Sequence, residues 1–220
     1  FLQPLEGNVQ YKGTDLTPVY YFHYTPDALV VPVDSPFKTL ADFIAAGKKD
    51  PGKLNIGGSA TLSANHLATE RFGSLAGIKT TYVPFKGTGE LITSILGKHI
   101  DAGMSYTTLV MGQKGRLRAL AVAMEQRQPA LPDVPTFKEL GINMVGGAYR
   151  GVAVPKSTPE PVREQVSALF ARLNKEPELR KRMLDGGFEP IDVAYSAMPK
   201  FQRDRSLEYL DAAKLLGLLK

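Results

Sequence analysis

Three short segments rich in hydroxyl side chains and glycine have the composition of a small-anion site. Each follows an apolar run that is typical of a β-strand. The candidate residues are Ser59, Ala60, Thr61 and Ser63, then Lys86, Gly87, Thr88 and Gly89, and finally Ser105 and Tyr106. Backbone N–H groups at the start of a helix carry partial positive charge and bind carboxylate or phosphate. Because α/β folds bind ligands outside the carboxyl ends of their strands, we expect the three segments to form one anion-binding cleft.

Ser59 also suggests a second chemistry, because residues 57–61 half-match the G-x-S-x-G pattern of a nucleophile elbow, with Thr61 in place of the last glycine. A hydrolase of that class needs an acid and then a histidine downstream of the serine. The histidines and nearby acids that follow are His66, His99, Glu70 and Glu90. This set fits the requirement poorly. We therefore expect no catalytic residue and no enzyme, and keep a serine-dependent hydrolase that uses Ser59 as the alternative.

Metal and cofactor patterns fail when their spacing is examined. The chain has no cysteine, which excludes thiolate metal sites. His66 and Glu70 are spaced as neighbours on a helix face, but a metal site needs a third and a fourth ligand. Residues 47–53 resemble a phosphate-binding loop, yet Leu54 stands where serine or threonine is required. The sequence therefore predicts neither a metal nor a cofactor.

The charge balance favours small anions over nucleic acid. The chain of 220 residues has 27 Lys and Arg against 22 Asp and Glu, a net charge of +5. These basic residues are scattered, and the densest cluster, residues 180–182, lies on a predicted helix beside Glu176 and Glu178. A solvated helix face explains that cluster better than a nucleic-acid surface does. Hydrophobic residues make up 43% of the chain, which is enough to form a buried core.

Apolar strands alternate with amphipathic helices along the chain, which predicts an α/β fold with a mostly parallel sheet. Residues 1–27 are interpreted as an extended connector. Predicted strands cover 28–31, 53–57, 79–84, 100–104, 117–124 and 188–191, with a long extended segment at 144–154. Predicted helices end at 47, cover 63–72, 88–96, 158–174 and 177–184, and resume at 196. Ser35 is a candidate N-cap for the first of them, and Thr39 with Asp42 resembles a capping box. The C-terminal third has little sheet of its own.

Several stretches in this order resemble the periplasmic solute-binding proteins of tripartite tricarboxylate transporters, often called Bug-type receptors. The stretches are residues 35–40, 51–54, 63–68, 83–87, 115–122, 131–136, 151–155 and 186–190. Their order and spacing between residue 14 and the C-terminus carry the resemblance.

The resemblance implies a type II periplasmic-binding-protein fold, in which two Rossmann-like domains joined by a hinge close on a small anion like a flytrap. On this template, residues 31–150 form domain 2, and residues 1–30 with 151–220 form domain 1. Domain 1 is expected to be incomplete, because the N-terminal strand, ligand loop and helix of family members have no counterpart here. The same template implies a monomeric periplasmic protein, whose signal peptide is not present in this chain.

Carried over residue by residue, the serine- and glycine-rich loop of the family falls on residues 59–63. Ala60 and Leu62 stand where the family usually has glycine. A tyrosine is replaced by Phe85 before Lys86, and a common tryptophan is replaced by Tyr149, which joins the expected ligand-binding residues. The implied ligand is a small organic anion, with a carboxylate as the expected class, and the implied partners are the membrane subunits of a tripartite transporter. A sensor of the same fold that signals to a kinase stays open as a further alternative.

Overall fold

The computed structural model describes residues 15–215 and 217, and the chain divides into two compact units. Unit 1 comprises Phe1–Tyr24 and Tyr149–Lys220, and unit 2 comprises Thr25–Ala148. Within the described residues, no helix has both the length and the apolar character that a membrane span requires. The predicted α/β class is confirmed, since both units combine strands with helices.

Strand β1, Leu16–Pro32, is 17 residues long and runs through both units. The prediction of an extended connector up to residue 27 is therefore wrong from Leu16 onward, and residues 1–14 lie outside the described residues. Aromatic and β-branched side chains dominate residues 19–25, and such side chains favour a strand. Pro18 and Pro26 misled the prediction, because proline is tolerated in a strand wherever its missing N–H is not needed.

Unit 2 contains a five-stranded mixed sheet in the order β3-β2-β4-β1-β5. Its other strands are β2 Asn55–Ser59, β3 Thr81–Phe85, β4 Ala102–Tyr106 and β5 Leu117–Val122. Strand β2 is parallel to β3 and β4, whereas β1 is antiparallel to β4 and β5. The prediction of a mostly parallel sheet is thus wrong, and the sheet is mixed. The reason is that Pro32, the last residue of β1, pairs with Leu117, the first of β5, so that β1 runs against its neighbours.

Four helices accompany this sheet: α1 Leu40–Lys49, α2 Ala64–Ala76, α3 Thr88–Leu96 and α4 Thr107–Gly112. The capping box at the start of α1 is confirmed, because Asp42 N donates to Thr39 Oγ1 at 3.2 Å and Asp42 Oδ2 accepts from Thr39 N at 2.8 Å. Ser35 is therefore not the N-cap. Helix α4 was not predicted, since its six residues are too few to show a helical period.

The unit 2 sheet is buried on both faces, and β1 shows this most clearly. Leu29 and Val31 belong to one apolar cluster, which contains Phe43 of α1 and Phe72 of α2. Ala28 and Val30 belong to a second cluster, which contains Leu91 and Ile95 of α3. Successive residues of a strand point to opposite faces, so β1 packs against helices on both sides.

Unit 1 is built on the first part of β1, which pairs with β6, Gly147–Pro155, and with β7, Glu189–Val193. Helices α5 Glu160–Leu173, α6 Pro177–Asp185 and α7 Met198–Leu215 complete it. Helix α5 carries an apolar stripe that is largely exposed. Val162, Leu169 and Leu173 are 41, 43 and 45% accessible, and the residue that α5 buries is Ser167.

Asp27 is an unusual member of the unit 2 interior. Its residue is 6% exposed, its amide donates to Gly146 O at 3.1 Å, and its Oδ1 is buried without a hydrogen-bond partner in the described part of the chain. Burial raises the pKa of the Asp27 carboxyl to about 8, and the charge of Arg71 only partly opposes that shift. The folded protein therefore keeps a proton on Asp27 at neutral pH.

This proton makes stability depend on pH. Below an unfolded pKa of about 4 both states are protonated, whereas between about 4 and 8 only the folded state holds the proton, so stability falls as pH rises. We expect the unfolding free energy of the wild type to fall by about 2–4 kcal/mol more than that of Asp27→Asn between about pH 5 and pH 9. Denaturant titration at both pH values measures this difference. Exposed Asp133→Asn is the matched control, and parallel pH curves for wild type and Asp27→Asn would contradict the expectation.

Candidate functional site

The three predicted loops meet at one edge of the unit 2 sheet. In the parallel pairs, Ser59 lies opposite Phe85, and Gly57 lies opposite Gly103. The carboxyl ends of β2, β3 and β4 therefore point the same way, and the segments that follow them share that edge. We call this edge, with residues 59–63, 86–89 and 105–106, the loop edge. It contains ten of the eleven predicted binding residues.

The hydroxyl groups of the first loop hold the loop itself together. Ser59 N and Ser59 Oγ both donate to Asn65 Oδ1, at 3.2 and 2.7 Å. Ser63 Oγ accepts from His66 N at 3.3 Å as the N-cap of α2, and donates to Ser59 O at 3.2 Å. The Tyr82 hydroxyl donates to the same Ser59 carbonyl. Ser59 and Ser63, two of the predicted ligand-binding serines, are thus already engaged by the protein.

His66 fixes the turn of this loop. Its Nδ1 accepts from Leu62 N at 3.1 Å, and its ring stacks on Tyr82 with centroids 4.2 Å apart. Burial lowers the pKa of His66, although the Glu70 carboxylate, 3.8 Å from Nε2, opposes this shift. The neutral imidazole, protonated on Nε2, is the form whose Nδ1 can accept the Leu62 amide.

These contacts also bear on whether Ser59 could be a nucleophile. Ser59 Oγ donates to Asn65, and both nitrogens of His66 face other groups, Leu62 and Glu70. A nucleophile must be within hydrogen-bond reach of its base. The geometry therefore does not support Ser59 as a catalytic residue. The described residues also include no cluster of three His, Asp or Glu side chains that fits a metal ion.

The exposed donors of the first loop are backbone amides. The N–H groups of Ala60 and Thr61 donate no hydrogen bond to any described residue, and both residues are exposed. They precede the N-terminus of α2, where the helix dipole favours a negative charge. Gly58 allows this arrangement, because a Cβ there would lie 2.5 Å from the Tyr82 hydroxyl and 2.8 Å from Asn65 Cβ.

The second loop adds a positive charge. Lys86 is exposed, and among the described residues no carboxylate lies within ion-pair distance of its ammonium group. Its own amide donates to Glu90 Oε2 at 3.2 Å. The N-cap of α3 is Gly87, and no side chain caps that helix. Thr88 and Gly89 form its exposed first turn.

The third segment is more enclosed. Ser105 is 5% exposed, and Tyr106 is the N-cap of α4, which begins at the next residue. This segment therefore brings a third helix N-terminus to the loop edge, while the Ser105 side chain stays inside.

Tyr149, the remaining predicted residue, belongs to unit 1. Its ring stacks on Tyr24 at 5.3 Å, meets Phe201 edge-on at 5.2 Å, and its hydroxyl accepts from Arg205 Nη1 at 3.0 Å. Its predicted role in ligand binding stays a prediction.

Sequence reasoning missed two residues that support the loop edge. Asn65 is 3% exposed and holds Ser59 through two hydrogen bonds, and Tyr82 reaches the Ser59 carbonyl from the neighbouring strand. The signal for Asn65 is its place in the first turn of α2, two residues after the N-cap Ser63. No local signal exists for Tyr82, since its role depends on the pairing of β2 with β3.

The chain matches a family model over most of its length. The model for the receptor of the tripartite tricarboxylate transporter family covers residues 3–214. A UPF0065 protein from the gbd 5' region of Cupriavidus necator is 30% identical over 87% of this chain, which spans 59% of that protein. BugT of Bordetella pertussis is 33% identical over 70% of this chain, which spans 48% of that protein. The chain thus spans about half to three fifths of the length of these relatives.

Solved structures show the same likeness. A TctC solute-binding protein from Polaromonas has a TM-score of 0.78 at 29% identity, covering 99% of this chain and 74% of its own. The R. palustris protein Rpa4515, solved with adipate, has a TM-score of 0.84 at 26% identity, covering 94% of this chain and 71% of its own.

Leu62 generates a testable prediction, because its φ of 58° lies in the left-handed region. A Cβ there costs about 1–2 kcal/mol. We compare Leu62→Gly with Leu62→Ala, since both remove the outer side chain and only one keeps the Cβ. Leu62→Gly should be the more stable by about 1 kcal/mol in denaturant titration.

The matched control is Ser74, an exposed residue of α2. There the order should reverse, with Ser74→Gly less stable than Ser74→Ala by about 1 kcal/mol. The same order at both positions would show that the left-handed conformation at Leu62 is not maintained in solution.

Proposed function

Because the chain belongs to the tripartite tricarboxylate transporter receptor family, we propose that it is an extracytoplasmic receptor that captures a small organic anion, a carboxylate, for a transporter of that type. One observation carries the proposal: the loop edge gathers, at the ends of three parallel strands, exposed residues whose amides and lysine have no hydrogen-bond or ion-pair partner in the described part of the chain.

The chemistry of recognition follows from those donors. A carboxylate at the loop edge would accept from the amides of Ala60 and Thr61, and Lys86 would supply a formal charge. Hydrogen bonds in which one partner is ionised are shorter and stronger than neutral ones. The adipate in the Rpa4515 structure supports a carboxylate as the ligand class. No covalent step is involved, so the protein acts as a receptor and not as an enzyme.

The cellular setting is part of the same proposal. The receptor would work in the periplasm as a monomer and deliver its solute to the membrane subunits of the transporter. The family match supports this setting, since the model describes a transporter receptor.

We also propose that unit 2 is the ligand-binding domain 2 and that unit 1 is part of domain 1. The exposed apolar stripe of α5 supports this assignment, because such a stripe normally packs against a neighbouring element. If the two domains close on the solute, adding adipate should reduce the radius of gyration in small-angle X-ray scattering. An unchanged radius at saturating adipate would contradict closure.

Adipate titration tests the function directly. In two-dimensional nitrogen–proton NMR, the amide signals of Ala60, Thr61 and Gly87 should shift in a saturable way. Lys86→Gln should weaken the affinity about threefold to tenfold, because it removes one charge near the carboxylate while leaving the fold intact.

Lys114→Gln is the matched control, because Lys114 is an exposed lysine of unit 2 in the turn before β5. It should leave the affinity unchanged. Equal weakening by both variants would point to a nonspecific effect of net charge, and shifts confined to residues outside the loop edge would refute this site.

A further inference from the structure

Asp27 lies beside the loop edge, although it belongs to none of its loops. Its register partner on β4 is Tyr106, and the next residue, Ala28, pairs with Ser105. Strand β4 lies between β1 and β2. Neighbouring strands are about 4.8 Å apart, so the Asp27 backbone is on the order of 10 Å from the start of the Ser59 loop. At that distance a change of charge in a partly buried setting is felt by a bound anion.

The strand alternation places the Asp27 side chain on the face of the sheet that carries α2. Leu29 and Val31, two and four residues further along β1, share an apolar cluster with Phe72 of α2. Arg71 precedes Phe72 on that helix. Its Nη1 donates to Val145 O at 3.2 Å, and its charge acts on the Asp27 carboxyl.

The charged groups around Asp27 are few. Helix α2 contributes Arg71 and, closer to its start, the neutral His66 with its Glu70 neighbour. Strand β4 contributes the Tyr106 phenol. The backbone segments that hydrogen-bond to Asp27, at Ala123 and at Gly146, bring no ionisable side chain. The ionisation state of Asp27 therefore decides whether the positive charge of Arg71 is compensated inside unit 2.

We propose that the proton on Asp27 controls how tightly the loop edge holds its anion. With the proton present, Asp27 is neutral and the field of Arg71 attracts the anion. With the proton lost, the Asp27 carboxylate cancels that field and repels the anion. The inference rests on the proposed function and adds to it a residue that sets its pH range.

Thermodynamic linkage between proton binding and anion binding sets the direction in which affinity changes with pH. An anion that prefers protonated Asp27 must also raise the proton affinity of Asp27, so binding takes up protons where the group is partly ionised. Because burial already raises the Asp27 pKa to about 8, affinity should fall as pH rises through that value. The dicarboxylate itself is fully ionised there, since ordinary carboxyl groups titrate near pH 4.

The experiment is an adipate titration by calorimetry or NMR at about pH 6.5 and about pH 9.5. We expect the dissociation constant of the wild type to rise about fivefold to tenfold across this range. Asp27→Asn, which mimics the protonated carboxyl in shape, should bind adipate with nearly the same constant at both values. Asp133→Asn, an exposed change in the same unit, should behave as the wild type.

A second measurement needs no variant. Calorimetry near pH 8 in buffers of different ionisation enthalpy should show that the wild type takes up a fraction of a proton when adipate binds. A purely structural role for Asp27 would change stability and leave this uptake at zero.

The outcomes separate the two proposals. If adipate binds and Asp27→Asn keeps the pH dependence of the wild type, or if no proton is taken up, this inference is overturned while the proposed function stands. If neither adipate nor a shorter dicarboxylate binds the wild type at either pH, the proposed function fails and this inference fails with it.

Discussion

The parallel pairing of β2 with β3 and β4 is the constraint on which the loop edge depends. Beside this pairing, Gly57 and Gly58 leave open space over the faces of the sheet, which side chains of neighbouring elements fill. A Cβ at Gly57 would lie 2.4 Å from Ile100 and 2.8 Å from Leu91, so a larger residue would push α3 away from the sheet. The missing Cβ at Gly58 likewise leaves room for the Tyr82 hydroxyl, which reaches the Ser59 carbonyl and fixes the first loop. The glycines are thus needed for packing first, and the geometry of the candidate site follows from it.

At the proposed anion site, the groups that hold the loop together are different from the groups that would contact a ligand. The hydroxyls of Ser59 and Ser63 are used in internal hydrogen bonds to Asn65 and to the Ser59 carbonyl, whereas the amides of Ala60 and Thr61 have no partner among the described residues. Backbone amides fixed by such bonds need little reordering when an anion arrives, so less entropy is lost on binding. An anion site made in this way depends on loop shape more than on side-chain identity.

Local patterns in the sequence predicted local structure well. The capping box at Thr39 was found because its hydrogen bonds join residues three apart, and the position of the three candidate loops at one sheet edge was predicted because each directly follows an apolar strand. The direction of β1 could not be predicted from local patterns, since it depends on pairing with residues about 75 and 90 positions away. For the same reason, local patterns did not predict the contact of Tyr82 with the first loop. They also did not predict the charge environment of Asp27, because Arg71 belongs to a different element.

Two ionisable groups near the loop edge are kept uncharged at neutral pH by the same cause. Burial lowers the pKa of His66 and raises that of Asp27, so each favours its neutral form. A protonated His66 would lose the Leu62 hydrogen bond, and an ionised Asp27 would cancel Arg71. The loop edge itself carries Lys86 and the helix N-termini, and a protonated Asp27 does not offset the charge of Arg71. Together with the left-handed Leu62, the uncharged pair marks where unit 2 gives up stability, a pattern that proteins commonly show at functional sites.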